Sequence, residues 1–271
     1  MSSDEWLRLT SRPVPPVKID VVAPNVARVW NYLVGGRDNF EADRRAAKLL
    51  ISVAPAMAEF GPASRAFLRR TVTYLAAEAG MRQFLDVGTG MPTAGNTHEV
   101  AQQVDPACRV VYVDNDPVVL SHARALLRSA EGGVSFLNAD ARDPAMVIAG
   151  AGRTLDFTQP VGIVMIDILN FLKDAEGVLA GLVGAAAPGS YLVVMQPTPD
   201  ELLAIAGERW NHISPTPVIL RDRGTVESWF SDLRLDLVEP GLVQLHRWRP
   251  EPGDPRCSDT LPLLGAVARK P

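Results

Sequence analysis

Five short stretches of the chain are apolar along their whole length: 82–88 (RQFLDVG), 109–114 (RVVYVD), 134–140 (VSFLNAD), 161–167 (VGIVMID) and 190–196 (SYLVVMQ). Runs that are apolar without alternation suit strands buried on both faces. Helical spacing falls between them, at Thr93 to Val104, Pro117 to Ala130 and about 173–187. The second of these carries proline at its first turn, where the missing N–H costs nothing. Strands alternating with helices predict a doubly wound, mostly parallel α/β sheet. Two more β candidates, within 234–248 and 261–268, bring the expected sheet to seven strands. Helices are expected near 199–210 and 224–233, and a Pro/Gly-rich link at 250–255.

The first eighty residues read differently. Residues 1–23 hold Pro13, Pro15 and Pro16 and no helical period, so they are expected as an extended arm. Val26, Val29, Trp30 and Leu33 then recur at helical spacing up to a break at Gly35-Gly36. Phe40 to Val53 and Ala63 to Ala79 follow as helices, the last stopped by Gly80. The division expected is an arm (1–23), an N-terminal helical cap (24–80) and a main domain (81–271).

Composition narrows the function. With 47% apolar and 21% charged residues the chain is ordinary globular material. No run approaches the roughly 18 apolar residues of a spanning helix, and the polar start MSSDEWLRLTSRP lacks a secretory core. Cys108 and Cys257 stand far apart, giving neither a disulfide framework nor a zinc site. A cytoplasmic protein is expected. The net charge of −4 weighs against nucleic acid, whose binding rests on a basic surplus, so a small-molecule substrate is expected. His98, His122, His212 and His246 show no metal-ligand spacing, so no metal is expected, and G-x-S-x-G hydrolase chemistry has no anchor.

The chemistry concentrates after the first strand, in Asp86-Val87-Gly88-Thr89-Gly90-Met91-Pro92-Thr93. A strand, a glycine turn and a helix make a ligand cradle at the carboxyl edge of a sheet. Dinucleotide folds place a third glycine where this chain has Thr93, and Pro92 removes a donor that a pyrophosphate would use. Asp86 beside the loop is awkward for a pyrophosphate and useful for a cationic amino acid moiety. The D-x-G-x-G pattern resembles motif I of class I S-adenosylmethionine-dependent methyltransferases. Asp114 ends the second strand where an acid binds a ribose diol, with Asn115 next to it. Asp116 precedes Pro117 and reads equally well as a helix cap. Asp140-Ala141 ends the third strand, where in such methyltransferases an acid meets the adenine amino group. Asp167 and Asn170 end the fourth, beside the expected reactive methyl, and are the catalytic candidates.

Longer segments carry a resemblance over roughly residues 19–271. They are 24–40 (PNVARVWNYLVGGRDNF), 82–93 (RQFLDVGTGMPT), 96–102 (NTHEVAQ), 112–117 (YVDNDP) and 246–250 (HRWRP). The chain resembles a family of S-adenosylmethionine-dependent methyltransferase-like proteins abundant in high-GC Gram-positive bacteria. That resemblance implies the class I methyltransferase fold and S-adenosyl-L-methionine as cofactor, and it brings no settled acceptor. The family often carries histidine where this chain has Asn170, and an amide does not titrate. Binding of S-adenosylmethionine or S-adenosylhomocysteine without catalysis therefore stays open, and a nicotinamide-dependent dehydrogenase is a third reading that Pro92 and Thr93 oppose. In Gly35-Gly36-Arg37-Asp38-Asn39-Phe40, the polar groups Arg37, Asp38 and Asn39 are expected over the methionine portion, with Arg37 on its carboxylate.

Overall fold

A computed structural model of the chain describes residues 20–126 and 133–271. Most of the expected arm, and the end of the helix expected to reach Ala130, lie outside the described residues. The elements run α1 (Val26–Leu33), α2 (Glu41–Val53), α3 (Met57–Ala77), β1 (Gln83–Val87), α4 (Thr97–Val104), β2 (Arg109–Asp114), α5 (Pro117–Leu126) and β3 (Val134–Asn138). Then come α6 (Pro144–Ala151), β4 (Gly162–Met165), a 3-10 turn (Leu169–Phe171), α7 (Ala175–Ala185) and β5 (Tyr191–Pro197). The chain closes with α8 (Glu201–Ile213), α9 (Arg223–Asp232), β6 (Asp236–Leu237), β7 (Val243–Gln244) and β8 (Leu263–Arg269). No helix among the described residues is long and apolar enough to cross a membrane.

The sheet order is β3-β2-β1-β4-β5-β8-β6, with β7 also on β8. The five strands from β1 to β5 pair in parallel, and β8 runs antiparallel to β5 from Tyr191↔Arg269 to Pro197↔Leu263. The sheet is doubly wound and mostly parallel, with eight strands in place of seven. The single β candidate within 234–248 is two two-residue strands, separated by a turn in which Gly241 N–H donates to the Val238 carbonyl. Gly241 takes the left-handed conformation (φ +84°) that this turn requires.

Neighbouring residues of each parallel strand enter opposite cores, which is why the strands are apolar throughout. Phe84, Val110, Val164 and Val193 join α3 through Phe67, Val72 and Leu75. Leu85, Val111, Ile163 and Leu192 join α6, α7 and α9 through Val147, Leu179 and Trp229. Burying side chains of this size contributes about 1.5–3 kcal/mol each.

Three boundaries differ from the sequence expectation. Helix α3 starts at Met57, ahead of Pro62, and its Gly61 packs against the end of α1, where a Cβ would lie 2.5 Å from the Leu33 carbonyl oxygen. Helix α4 starts at Thr97, four residues late, because Asn96 N–H donates to Glu99 (2.8 Å) and Asn96 Oδ1 accepts from Thr93 N–H (3.2 Å). Helix α6 was not expected at all. It is a short apolar helix with Asp143 accepting from Met146 N–H and proline at its first turn.

Candidate active site

The strand order reverses between β1 and β4, and at such a switch point the carboxyl ends of parallel strands leave a crevice. A cleft of about 490 Å³ lies there. Its floor is the loop after β1. Gly88 N–H and Thr89 N–H both donate to the Val113 carbonyl (2.9 and 3.2 Å), docking the loop on β2. Gly88 and Gly90 sit at φ +77° and +64°, where L side chains are strained. A Cβ on Gly88 would come within 2.6 Å of Ile168, so glycine there lets the β1 loop and the β4 loop meet.

Around this floor the chain brings together Asp86, Gly88, Thr89, Gly90, Thr93, Asp114, Asn115, Asp140, Ala141 and Asp167. The carboxylates differ in how they are held. Asp86 is buried. Burial raises its pKa to about 6, against the opposing pull of the Thr97 hydroxyl (2.5 Å), the Arg65 charge and the Thr89 hydroxyl (3.3 Å). Asp114 accepts from Gly90 N–H on Oδ2 and Asp116 N–H on Oδ1, both at 2.9 Å, and burial still raises its pKa. Asp140 is clasped by Arg142, Nε to Oδ1 and Nη2 to Oδ2, and also accepts from Asn115 (3.2 Å). The Arg142 clasp lowers its pKa to about 2.

Asp167 follows β4 in a left-handed backbone conformation, φ +61°, uncommon for a residue with a side chain. Its Oδ2 is buried and has no hydrogen-bond partner among the described residues. Burial raises its pKa well above the usual carboxylate range, offset in part by the Ser64 hydroxyl and the Arg65 charge. Asn170 is absent from the cleft lining. It is buried behind Asp167, its carbonyl accepting from Ile219 N–H (2.7 Å) and its Oδ1 unpartnered among the described residues. Arg221 holds the turn between them, donating to the Leu169 (2.8 Å) and Leu172 (2.5 Å) carbonyls.

Arg37, Asp38 and Asn39 do not line the cleft. Arg37 and Asp38 are exposed. Asn39 is committed locally, donating to Asn31 Oδ1 (2.9 Å) and to the Gly36 carbonyl (3.0 Å). Gly36 leaves no room for a Cβ against the Asn31 side chain, so the double glycine serves this tight turn. Arg65 on α3 lines the cleft, as do Arg142 and Lys173; it donates to the Ala94 (2.8 Å) and Gly95 (2.5 Å) carbonyls and feels the charges of Asp86 and Asp167. Its sequence signal was an arginine at helical spacing with the buried Leu68, Val72 and Leu75.

The first helix closes the cleft. Asn25 caps α1 by accepting from Arg28 N–H (3.2 Å), and its amide donates to Asp116 Oδ2 (3.0 Å) at the end of β2. Asp116 also accepts from Val118 N–H (2.8 Å), so it both starts α5 and holds α1. The fully buried Asp43 accepts from Arg28 (2.8 Å), Asn25 N–H (2.9 Å) and Phe40 N–H (2.8 Å), tying α1 to α2. His98 packs edge-on against Tyr112 and shares a hydrogen bond with its hydroxyl (2.8 Å).

Asp86, buried and with its pKa raised to about 6, is still mostly ionised at pH 7 and fits a cationic ammonium, and Arg65 fits a carboxylate. Together they suit a zwitterionic amino acid group, and Asp114 suits a diol. No group of His, Cys, Asp and Glu among the described residues could hold a metal ion.

Comparison with known proteins shows the family and the fold. The family model described as S-adenosyl methyltransferase matches residues 13–271. A crystal structure of a DUF574 family protein from Streptomyces avermitilis is 38% identical, with a TM-score of 0.89 over 94% of this chain and 100% of its own. A putative methyltransferase from Thermobifida fusca is also 38% identical, with a TM-score of 0.86 over 95% of this chain and 99% of its own. The magnesium protoporphyrin IX methyltransferase of Synechocystis, solved with bound SAH, shares the fold at 11% identity, with a TM-score of 0.56 over 90% of this chain and 93% of its own. A search of curated proteins finds no match.

Proposed function

The chain belongs to the S-adenosyl methyltransferase family, whose cofactor is S-adenosylmethionine, and from that premise we propose that it methylates a small-molecule acceptor. One observation carries the reading: a single cleft is lined by the buried Asp86, by Arg65 and by the strand-end Asp114, the groups a zwitterion and a ribose need. Asp86 takes the ammonium of the methionine portion, and Arg65 its carboxylate. Asp114 takes the ribose hydroxyls with the lone pairs that its two N–H partners leave free. Gly88, Thr89, Gly90 and Thr93 form the cradle under the adenosine. Asp140, Ala141 and Asn115 border the adenine. Asp140 is already neutralised by Arg142, so its part in adenine recognition shares its oxygens with that clasp.

When bound, the cofactor supplies a methyl group activated by a leaving group that departs as a neutral thioether. The protein's contribution is then orientation and electrostatics. Helix α1, pinned by Asn25 to Asp116, keeps water from the cleft. Asp167 and Asn170 stand on the acceptor side.

Calorimetric titration with S-adenosylmethionine, S-adenosylhomocysteine and NAD tests the reading. The two adenosyl ligands are expected to bind and NAD to fail. Asp114→Ala should weaken both adenosyl ligands by a hundredfold or more, about 3 kcal/mol, the scale of two charge-assisted hydrogen bonds. A folded wild-type protein that binds NAD and neither adenosyl ligand overturns it.

A further inference from the structure

Beside the polar cleft lies a second, smaller chamber of about 80 Å³. Its walls include Leu50, Met57, Phe60, Leu203, Ala206 and Trp210, drawn from α2, α3 and α8. Val26, Trp30, Asp167 and Phe171 belong to both linings, so the two spaces meet at Asp167. Among the chamber's lining residues, the side chains that can hydrogen-bond are Asp167, Asn170 and the Trp30 and Trp210 indoles. The Trp210 indole N–H is engaged, donating to the Thr216 carbonyl (2.7 Å). Two oxygens of this lining, Asp167 Oδ2 and Asn170 Oδ1, are buried acceptors without a partner among the described residues. An unpaired buried acceptor carries a desolvation penalty that a donor on a ligand would relieve. Asp167 also sits in an uncommon backbone conformation, at φ +61°. Strain and unpaired polar groups at one point mark a place held for a ligand.

We propose that this chamber seats the methyl acceptor, and that the acceptor is a compact, uncharged, apolar molecule carrying one hydroxyl, which donates to Asp167 beside Asn170. The inference rests on the methyltransferase reading and adds the substrate class. Apolar walls accept an aromatic or aliphatic body and reject further polar groups, which would find no partner there. An anionic acceptor would be buried beside the Asp167 carboxylate with no cation in the chamber's lining, and a protonated amine has no lone pair to take the methyl group. The bookkeeping of the step closes on this chain's own residues. The hydroxyl oxygen's lone pair forms the new bond to the methyl carbon. The carbon–sulfur bonding pair stays on sulfur, and the hydroxyl proton passes to the Asp167 carboxylate.

The test is calorimetric titration of the protein, with and without S-adenosylhomocysteine, using p-cresol, 2-naphthol and 1-hexanol as probes and toluene and benzylamine as comparators. At least one hydroxyl probe should bind tenfold more tightly than either comparator. Ala206→Leu, which fills the chamber, should weaken that probe at least tenfold while changing S-adenosylhomocysteine affinity less than threefold. Leu203→Ala, which enlarges it, should shift preference from p-cresol to 2-naphthol by at least fivefold, a change that general destabilisation would not produce. Asp167→Ala should remove the advantage of p-cresol over toluene. The proposal is overturned if none of the three hydroxyl probes binds, if toluene binds as well as p-cresol, or if Ala206→Leu binds the probes like wild type. Failure of S-adenosylhomocysteine alone to bind would overturn the proposed function instead, since the chamber is read separately on the ligand-free protein.

Discussion

The two sides of the cleft are built on opposite principles. On the β1–β2–β3 side the carboxylates are engaged before any ligand arrives: Asp86 by Thr97, Asp114 by two backbone N–H groups, Asp140 by Arg142. On the β4 side Asp167 Oδ2 and Asn170 Oδ1 are buried and unpaired among the described residues, next to apolar walls. A preorganised polar surface suits a ligand that is always the same, because its donors and acceptors need no rearrangement on binding. An apolar space with a few unmatched oxygens leaves the choice of partner to the ligand's own polar group.

The comparison breaks most completely at Gly88, where the two sides touch. Gly88→Ala puts a Cβ against Ile168 and forces φ +77° on an L residue, so both loops must shift. A stability loss of about 2–3 kcal/mol is expected, together with loss of adenosyl-ligand binding, checked by thermal melts and calorimetry. Stability and affinity both unchanged would mean that the loops do not meet as described.

Arg65 sharpens it next. Arg65→Met keeps much of the side chain's apolar length and removes its charge. S-adenosylhomocysteine affinity should fall about 30-fold, about 2 kcal/mol for a charge-assisted pair. Methylthioadenosine, which lacks the amino acid carboxylate, should fall less than threefold. Equal losses for both ligands would remove Arg65 from carboxylate recognition.

The smallest effect is a pH dependence. Asp86 has a folded pKa near 6, raised from 3.8 mainly by burial, with the Thr97, Arg65 and Thr89 interactions lowering it and Asp114 raising it. A carboxyl group with a raised folded pKa contributes stability below its unfolded pKa, and that contribution is lost as pH rises through about 6. The ligand-free protein should therefore lose stability between pH 4 and 6 through this group. Ligand affinity runs the other way, because the ammonium needs Asp86 ionised. S-adenosylhomocysteine should bind about tenfold more weakly at pH 5 than at pH 7, one protonation over that range. A flat binding profile from pH 5 to 7 would separate Asp86 from the ammonium.

Much of the polar side was legible in the sequence, because it is local. The glycine loop, Asp86 and the strand-end acids lie within a few residues of strand termini, and each strand's apolar run locates its own end. The start of α4 was expected at Thr93, and the Asn96–Glu99 cap moves it to Thr97. The wrong assignment was equally local: the polar residues after Gly35-Gly36 suggested a lid, but Asn31, Gly36 and Asn39 close on one another and leave Arg37 and Asp38 outside the cleft.

By itself the sequence determined the layered α/β fold, the parallel strands and the glycine loop with its strand-end acids, because apolar periodicity and glycine turns act over neighbouring residues. Only the tertiary structure decided that Arg65 lines the cleft and what lies behind Asp167. Arg65 shares the cleft with Asp86 because α3 crosses the sheet face, and the chamber exists because α2 and α3 meet α8, which lies more than a hundred residues further along the chain, at one strand end. Contacts of that range depend on how layers pack, and no local pattern in the chain encodes them.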